Sequence, residues 1–85
     1  MKVTNAKDAV AIAESRFPGL KHQMILDYDN DHYVISLCPQ DLLKGDEGLF
    51  AGVDKNTGKI TRFYPNADFA AFQDAVNNRE VRLVR

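Results

Sequence analysis

The 85-residue chain contains a single cysteine, Cys38, and no apolar run long enough for a membrane segment. One cysteine cannot form a disulfide within the chain, which is typical of proteins from reducing compartments. A signal-peptide core needs roughly 7 to 15 consecutive apolar residues, and the sequence contains no such stretch. These absences predict a cytoplasmic protein that does not act at a membrane.

The sequence also has no strong excess of one charge, since its net charge is -1. The charges are nevertheless segregated along the chain: residues 1–26 carry +2, residues 27–54 carry -6 and residues 55–85 carry +3. No part has the dense Lys/Arg stripe with interleaved aromatic residues that phosphate backbones require. The charge pattern therefore predicts that nucleic acid is not a partner.

Residue patterns for nucleophilic catalysis or a metal centre are missing as well. His32 lies six residues from Cys38 on the same predicted strand, about 20 Å away, and His22 falls on the opposite face. Neither histidine can activate the thiol or share a zinc ion with it. No glycine is followed by the Lys-Ser or Lys-Thr pair of a phosphate-binding loop. We predict no catalytic residue, no metal site and no cofactor.

Asp27, Asp29 and Asp31 have the alternate spacing that opens a calcium-binding loop. Counted from Asp27, however, His32 occupies the position that needs glycine and Cys38 the position that needs glutamate. The three aspartates are therefore interpreted as a solvated turn. A small enzyme that uses surface carboxylates remains an alternative, although the predicted sheet divides the acidic residues between its two ends.

What the chain does have is the composition of one folded domain covering residues 1–85. Apolar residues make up 45% and charged residues 27% of the sequence, which is ordinary for a globular protein. A chain of this length is long enough for one domain and too short for two.

The first predicted element is a helix that begins after Thr4 or Asn5, either of which can cap it. One apolar stripe follows at helical spacing, and Pro18 with Gly19 ends the helix. The stripe consists of Ala6, Val10, Ala13 and Phe17. The small alanines on this side predict close packing on a sheet.

Two strands with alternating apolar residues follow, joined by a turn within residues 29–32. The predicted register pairs Leu26 with Ile35, and by the same rule Tyr28 with Tyr33 and Met24 with Leu37. This register places both apolar rows on one face of the sheet.

The clearest local pattern is a hairpin over residues 49–64. A four-residue loop ending at Gly58, which can adopt a left-handed conformation, joins the two strands. This loop length pairs Val53 with Ile60 and Phe50 with Phe63.

Pro65 then ends the strand, and Asn66 or Asp68 can cap a second helix that ends at Asn77-Asn78. Its predicted packing side carries Phe69, Phe72, Gln73 and Val76. The tail from Glu80 to Arg85 is interpreted as a short edge strand, an oligomer contact or a frayed end. The sequence thus predicts an α+β fold with an N-terminal helix, a four-stranded antiparallel meander, a second helix and possibly a short C-terminal strand.

If both helices cover one face of the sheet, the other face is an open apolar surface that can contact a protein partner or a second copy. The alternative is that the loop or the tail covers it. The residues of this candidate surface are Ile25, Val34, Ser36 and Cys38, with either Phe50 and Phe63 or the row of Val53 and Ile60.

The loop over residues 39–48 is longer than a meander needs, and long loops often carry function or fold over the core. It adds two apolar and two acidic residues to the candidate partner surface: Leu42, Leu43, Asp46 and Glu47.

Several of these segments together resemble a PepSY-type domain over residues 4–64. The resemblance rests on the helix residues Ala9 to Ala13, the break at Phe17-Pro18-Gly19, the strand at Tyr33-Val34-Ile35 and the hairpin from Val53 to Ile60. It implies a small noncatalytic bacterial module that binds or restrains a protein partner. The strand-proline-helix ending is also similar to small bacterial immunity-type proteins, which implies a toxin inhibitor as an alternative. Neither family supplies catalytic residues.

Overall fold

The computed structural model describes residues 2–39 and 48–83. The elements are α1 (Ala6–Arg16), β1 (Leu20–Asp27), β2 (His32–Pro39), β3 (Leu49–Asp54), β4 (Ile60–Phe63), a 3-10 helix (Pro65–Asp68), α2 (Phe69–Asn78) and β5 (Glu80–Val81). The predicted α+β fold is confirmed, and the tail contributes a short edge strand. Residues 84 and 85 of that tail lie outside the described residues.

The five strands form one antiparallel sheet in the order β4-β3-β2-β1-β5. The register predicted for the second hairpin is confirmed, since Val53 pairs with Ile60 and Phe50 with Phe63. Gly58 has a φ of 74°, and its N–H donates to the Asp54 carbonyl at 2.8 Å. The left-handed glycine closes the turn and fixes the loop length that sets this register.

The register predicted for the first hairpin is wrong by one residue. Leu26 pairs with Val34 and Ile25 with Ile35, while an irregularity between His22 and Met24 shifts the pairing again toward the start of β1. A shift of one residue moves each side chain to the other face of the sheet relative to its neighbours. Tyr33 and Ile35 therefore do not share a face with Leu26.

Helix α1 packs on one face of the sheet and forms the larger core. Asn5 caps the helix, because its Oδ1 accepts the Asp8 N–H at 2.8 Å. Ala9 and Ala13 are fully buried against the sheet, as the small residues of the predicted stripe require. The strand residues of this core include Ile25, Tyr33, Ile35, Leu37, Ala51 and Val53.

Glu14 anchors this helix to β1. One carboxylate oxygen, Oε2, accepts the backbone N–H of His22 at 3.0 Å and lies 3.0 Å from its ring Nδ1. Burial raises the pKa of Glu14, but the hydrogen bonds and the charge of His22 outweigh that effect and hold the pKa below its usual value. The pair fixes the position of α1 over the sheet.

Helix α2 packs on the opposite face, which corrects the expectation that both helices share one side. The chain leaves β4 at one edge, and β5 pairs with β1 at the other edge, so α2 crosses the sheet between them. Asp68 caps it by accepting the Ala71 N–H at 3.2 Å. Its core consists of Leu26, Val34 and Ala75, with Met24, Tyr28, Phe50, Phe63, Phe72 and Val76 packed around them.

The predicted packing side of α2 is correct for Phe72 and Val76 but wrong for Phe69 and for Gln73, which is also exposed. The Phe69 side chain is 59% exposed, whereas Ala75 is buried. Phe69, the first residue of α2 after the 3-10 helix, lies away from the sheet, and the small Ala75 takes the central contact. We call the side of the sheet that contacts α1 the α1 face, and the other side the α2 face.

Candidate functional site

The open apolar face predicted from the sequence is not present in this arrangement. Ile25 and Val34 are 2% and 1% exposed, and they lie on opposite faces because they belong to the two separate cores. Both side chains are covered by helices, so neither can contact a partner without rearrangement of the core.

Phe50, Phe63, Ser36 and Cys38 belong to the α2 face, whereas the alternative row of Val53 and Ile60 belongs to the α1 face. Phe50 and Phe63 both contact Phe72 of α2, with ring centroids 5.2 and 6.1 Å apart. Ser36 and Cys38 are half-buried, and Cys38 is a free thiol. The loop residues Leu42, Leu43, Asp46 and Glu47 lie outside the described residues.

The turns after β1 and β3 meet at one end of the sheet, as the meander predicts. Lys55 joins them: its backbone N–H donates to the Asp31 carbonyl at 2.7 Å and its carbonyl accepts the Val3 N–H at 2.8 Å. Its Nζ forms an ion pair with Asp27 and donates to the Asp29 carbonyl at 2.8 Å. All three aspartates of the rejected calcium pattern therefore help to hold this end of the sheet together through Lys55.

The Asp29 carboxylate organises the turn between β1 and β2. Its Oδ1 accepts the N–H groups of Asp31 at 2.8 Å and His32 at 2.7 Å, and lies 3.1 Å from the His32 Nδ1. Burial raises the pKa of Asp29, but these hydrogen bonds outweigh it and keep the pKa below the usual value. The second oxygen, Oδ2, has no partner among residues 2–39 and 48–83.

Beside this turn the α2 face contains a cavity of about 230 Å³. Val34 and Gly52, which are paired on adjacent strands, line this cavity. Tyr28 and Phe63 contribute aromatic rings that contact each other edge-to-face, with 5.0 Å between centroids. Asp29, His32 and Thr61 add the polar groups. Because Gly52 has no side chain on this face, the space above it stays open. We call this space the β-turn cavity.

A second depression, an open groove of about 560 Å³, lies on the α1 face between α1 and β4. Ile12 and Ile60 give it an apolar surface, and Ala11, Ser15, Arg16 and Gly58 complete the lining. Arg62 shares the α1 face, because its cross-strand partner Ala51 belongs to the core under α1. We call this depression the edge groove.

The edge groove runs beside an unpaired strand edge. Opposed residues of an antiparallel pair alternate between hydrogen-bonded and non-hydrogen-bonded pairs. The Asp54 N–H donates to the Lys59 carbonyl at 2.9 Å, so Thr61 belongs to the next hydrogen-bonded pair. The peptide groups of Ile60 and Arg62 therefore face away from β3, at the edge of the sheet that the described strands leave open.

This edge carries positive charge. Arg16 lines the edge groove, Arg62 lies on the same face, and Lys59 precedes β4. Within the described part of the chain no carboxylate forms an ion pair with any of the three. The exposed ring of Tyr64 lies 5.7 Å from the Arg62 guanidinium, and the Tyr64 side chain is 62% exposed. The edge thus combines free backbone groups, cations and an aromatic side chain.

The described ranges, 2–39 and 48–83, show no cluster of metal ligands and no membrane-spanning helix. No group of three or more His, Cys, Asp or Glu side chains is arranged to hold a metal ion there. No described helix is long and apolar enough to cross a membrane.

The fold and these two depressions define a small α+β domain whose sheet has one described helix on each face and β4 at an edge that the described strands leave open. Comparison with protein-family models, with curated proteins and with solved structures finds no match to the chain.

The sequence placed Val34, Phe63 and Ile60 in its candidate partner surface, but it missed the other residues that line the two depressions. Gly52 is the one with a recognisable signal, because a glycine within a strand often marks a close approach or a missing side chain on one face. Arg16 and Arg62 lie 46 positions apart in the sequence, and only the packing of α1 beside β4 brings them to the same face of the sheet.

Proposed function

We propose that this chain is a small noncatalytic protein-binding module of the PepSY-like kind, and that it binds an extended, acidic segment of a partner protein along β4. The observation that carries the proposal is the free β4 edge, which carries Lys59 and Arg62 and lies beside a groove lined by Arg16. An extended segment can add a strand to such an edge, with main-chain hydrogen bonds supplying affinity and side-chain pockets supplying specificity.

The backbone supports this mode of binding. The outward peptide groups of Ile60 and Arg62 offer donors and acceptors at the spacing that an added antiparallel strand uses. Alternate side chains of that strand would lie over the edge groove, where Ile12 and Ile60 supply an apolar surface. A strand added here would continue the sheet beyond β4.

The charges favour an acidic partner over a second copy of the chain. Lys59 and Arg62 are the charged residues in the segment 59–63, so two copies paired through β4 would bring like charges together across the strands. Such pairs are destabilising. Acidic side chains on the incoming strand would instead pair with Arg16 and Arg62.

The same proposal includes a cytoplasmic location. The free thiol of Cys38 is compatible with a reducing compartment, where thiols stay reduced.

A designed peptide tests the edge. We expect an acetylated octapeptide of alternating Glu and Val to shift the backbone amide signals of Ile60 and Arg62 in NMR titration, and the corresponding Lys-Val peptide to leave them unchanged. The Arg62→Glu substitution should weaken binding by about fivefold to tenfold, as expected for loss of one or two close charge pairs. Arg82→Glu, which changes an exposed arginine after the opposite edge strand, is the matched control.

N-methylation of the peptide separates strand addition from simple charge attraction. Methyl groups on the alternate peptide residues whose N–H groups face β4 should abolish binding. Methyl groups on the residues between them should have a small effect, because those N–H groups face solvent. If both N-methylated peptides lose affinity equally, or if the Arg62→Glu variant binds the peptide as tightly as the unmodified chain does, the peptide does not add to β4.

A further inference from the structure

The β-turn cavity lies on the α2 face, whereas the edge groove lies on the α1 face, so a ligand for the cavity is a separate question from the partner of β4. The cavity is partly enclosed, and its polar groups come from the turn between β1 and β2 and from β4. It combines unpaired hydrogen-bonding groups with apolar and aromatic surface, which is the usual composition of small-molecule sites.

Several polar atoms at the cavity have no protein partner in the part of the chain that the structure describes. Asp29 uses Oδ1 for all three of its hydrogen bonds, which leaves Oδ2 free. The contact between Oδ1 and the His32 Nδ1 requires a proton on Nδ1, because a carboxylate only accepts. The Nε2 of a neutral His32 is then an acceptor. The hydroxyls of Tyr28 and Thr61 are also without a partner in the described ranges.

The charges around the cavity favour a cation. Burial raises the pKa of Tyr28, and the negative charges of Asp68 and Asp29, which lie close enough to act on it, raise it further. Asp54 also lies close enough to His32 to interact with it electrostatically. Two lysines lie near this end of the sheet. Lys55 is held by its ion pair with Asp27 and its hydrogen bond to the Asp29 carbonyl, and Lys59 lies two residues before Thr61. Neither lysine lines the cavity.

The apolar surface adds a second requirement for the ligand. Val34 and Gly52 expose no polar side-chain group, and the rings of Tyr28 and Phe63 meet at the cavity. Aromatic faces attract ammonium groups and also pack against apolar ones. A cavity of about 150 Å³ suffices for benzene, so about 230 Å³ accommodates one ring or short alkyl chain with an amino group attached.

We propose that the β-turn cavity binds a small organic ammonium ion that carries one aromatic or alkyl group. The ammonium donates to Asp29 Oδ2 and to the neighbouring acceptors, and the apolar group lies over Gly52 against Phe63. The site is formed by elements that pair whether or not β4 receives a partner.

Three compounds of similar size and shape test the ligand class. We expect phenethylammonium to shift the NMR signals of Tyr28, His32 and Thr61 in a saturable titration of the full chain. The neutral 2-phenylethanol should bind at least fivefold more weakly, and the anionic phenylacetate should cause no saturable shift. Equal affinity for all three, or shifts confined to residues away from the cavity, would overturn the proposal.

Substitutions test the position of the ligand. Asp29→Asn should reduce affinity for phenethylammonium by about tenfold, since a hydrogen bond to a charged group is replaced by a weaker one. Asp31→Asn, in the same turn but outside the cavity lining, is the control and should bind as the unmodified chain does. Unchanged binding by Asp29→Asn would place the ligand elsewhere.

Gly52 provides a second, independent substitution. A Cβ at position 52 would lie 3.4 Å from Thr61 Oγ1, an ordinary contact, so Gly52→Ala should fold and lower affinity, and Gly52→Val should abolish binding by filling the space. A melting temperature close to that of the unmodified chain confirms that each variant is folded. Arg62→Glu should leave amine binding unchanged, so this proposal and the proposed strand addition can fail separately.

Discussion

Asp29 and Asp54 perform the same structural task in two different turns. Asp54 Oδ1 accepts the N–H groups of Asn56 at 2.7 Å and Thr57 at 3.0 Å, much as Asp29 accepts those of Asp31 and His32. The hydrogen bonds from Asn56 and Thr57 lower the pKa of Asp54, and the pKa of Asp29 is lowered as well. Each turn is therefore more stable when its aspartate is ionised.

This coupling predicts a loss of stability in acid. A carboxyl whose pKa is lower in the folded than in the unfolded state stabilises the fold above the unfolded pKa, about 3.9 for aspartate. That stabilisation is lost as pH falls from about 4 through the lower folded pKa. We expect the urea midpoint to fall over this range, and the fall to be shallower in Asp54→Asn, because the amide still accepts a hydrogen bond but does not titrate.

Asp31→Asn is the control for this measurement, since within the described residues the Asp31 carboxylate accepts no backbone N–H. It should follow the pH dependence of the unmodified chain. An Asp54→Asn variant with the same acid dependence as the unmodified chain would contradict the assignment of this effect to the β3-β4 turn.

At the scale of elements, the two hairpins show what the sequence can and cannot predict. Gly58 fixes the loop length of the second hairpin, and its register follows from that one residue. In the first hairpin the side chain of Asp29 builds the turn, and the irregularity after His22 shifts the pairing. Both faces of the sheet are covered, so apolar residues occur on both sides of a strand. Alternation of apolar and polar residues then does not show which residues of a strand lie on the α1 face and which on the α2 face.

The candidate sites depend on which elements meet, and local patterns do not contain that information. Amphipathic spacing identified both helices, but it does not say which face of the sheet a helix covers. That choice follows from β5, a two-residue strand whose pairing with β1 requires α2 to cross the second face. Once α2 is placed there, the predicted open surface is filled and the free edge of β4 becomes the exposed feature.

The position of α2 makes its two phenylalanines a matched pair. Phe72 packs against Phe50 and Phe63, whereas Phe69 is mostly exposed. We expect Phe72→Ala to lower the free energy of unfolding by about 2 to 4 kcal/mol, somewhat less than for a fully buried ring. Phe69→Ala should change it by no more than about 0.5 kcal/mol. Urea unfolding measures both changes. A larger effect of Phe69→Ala would contradict the exposed position of Phe69 on α2.

At the scale of the whole molecule, the protein has two hydrophobic cores but one sheet. Each core uses side chains from one face of the same strands, so neighbouring residues such as Leu26 and Ile35 belong to different cores. When a strand loses its hydrogen bonds to its neighbours, its side chains leave both cores at the same time. The two cores should therefore unfold together, as small domains usually do.

Leu26→Ala and Ile35→Ala test this coupling, because both residues are fully buried, one under α2 and the other under α1. Each substitution should lower the free energy of unfolding by about 2 to 5 kcal/mol. Native-state hydrogen exchange then distinguishes shared from separate unfolding. If the sheet couples the cores, Leu26→Ala lowers the protection of slowly exchanging amides in α1 as much as in β2. Undiminished protection of α1 in that variant would mean that its core persists when the α2 core opens.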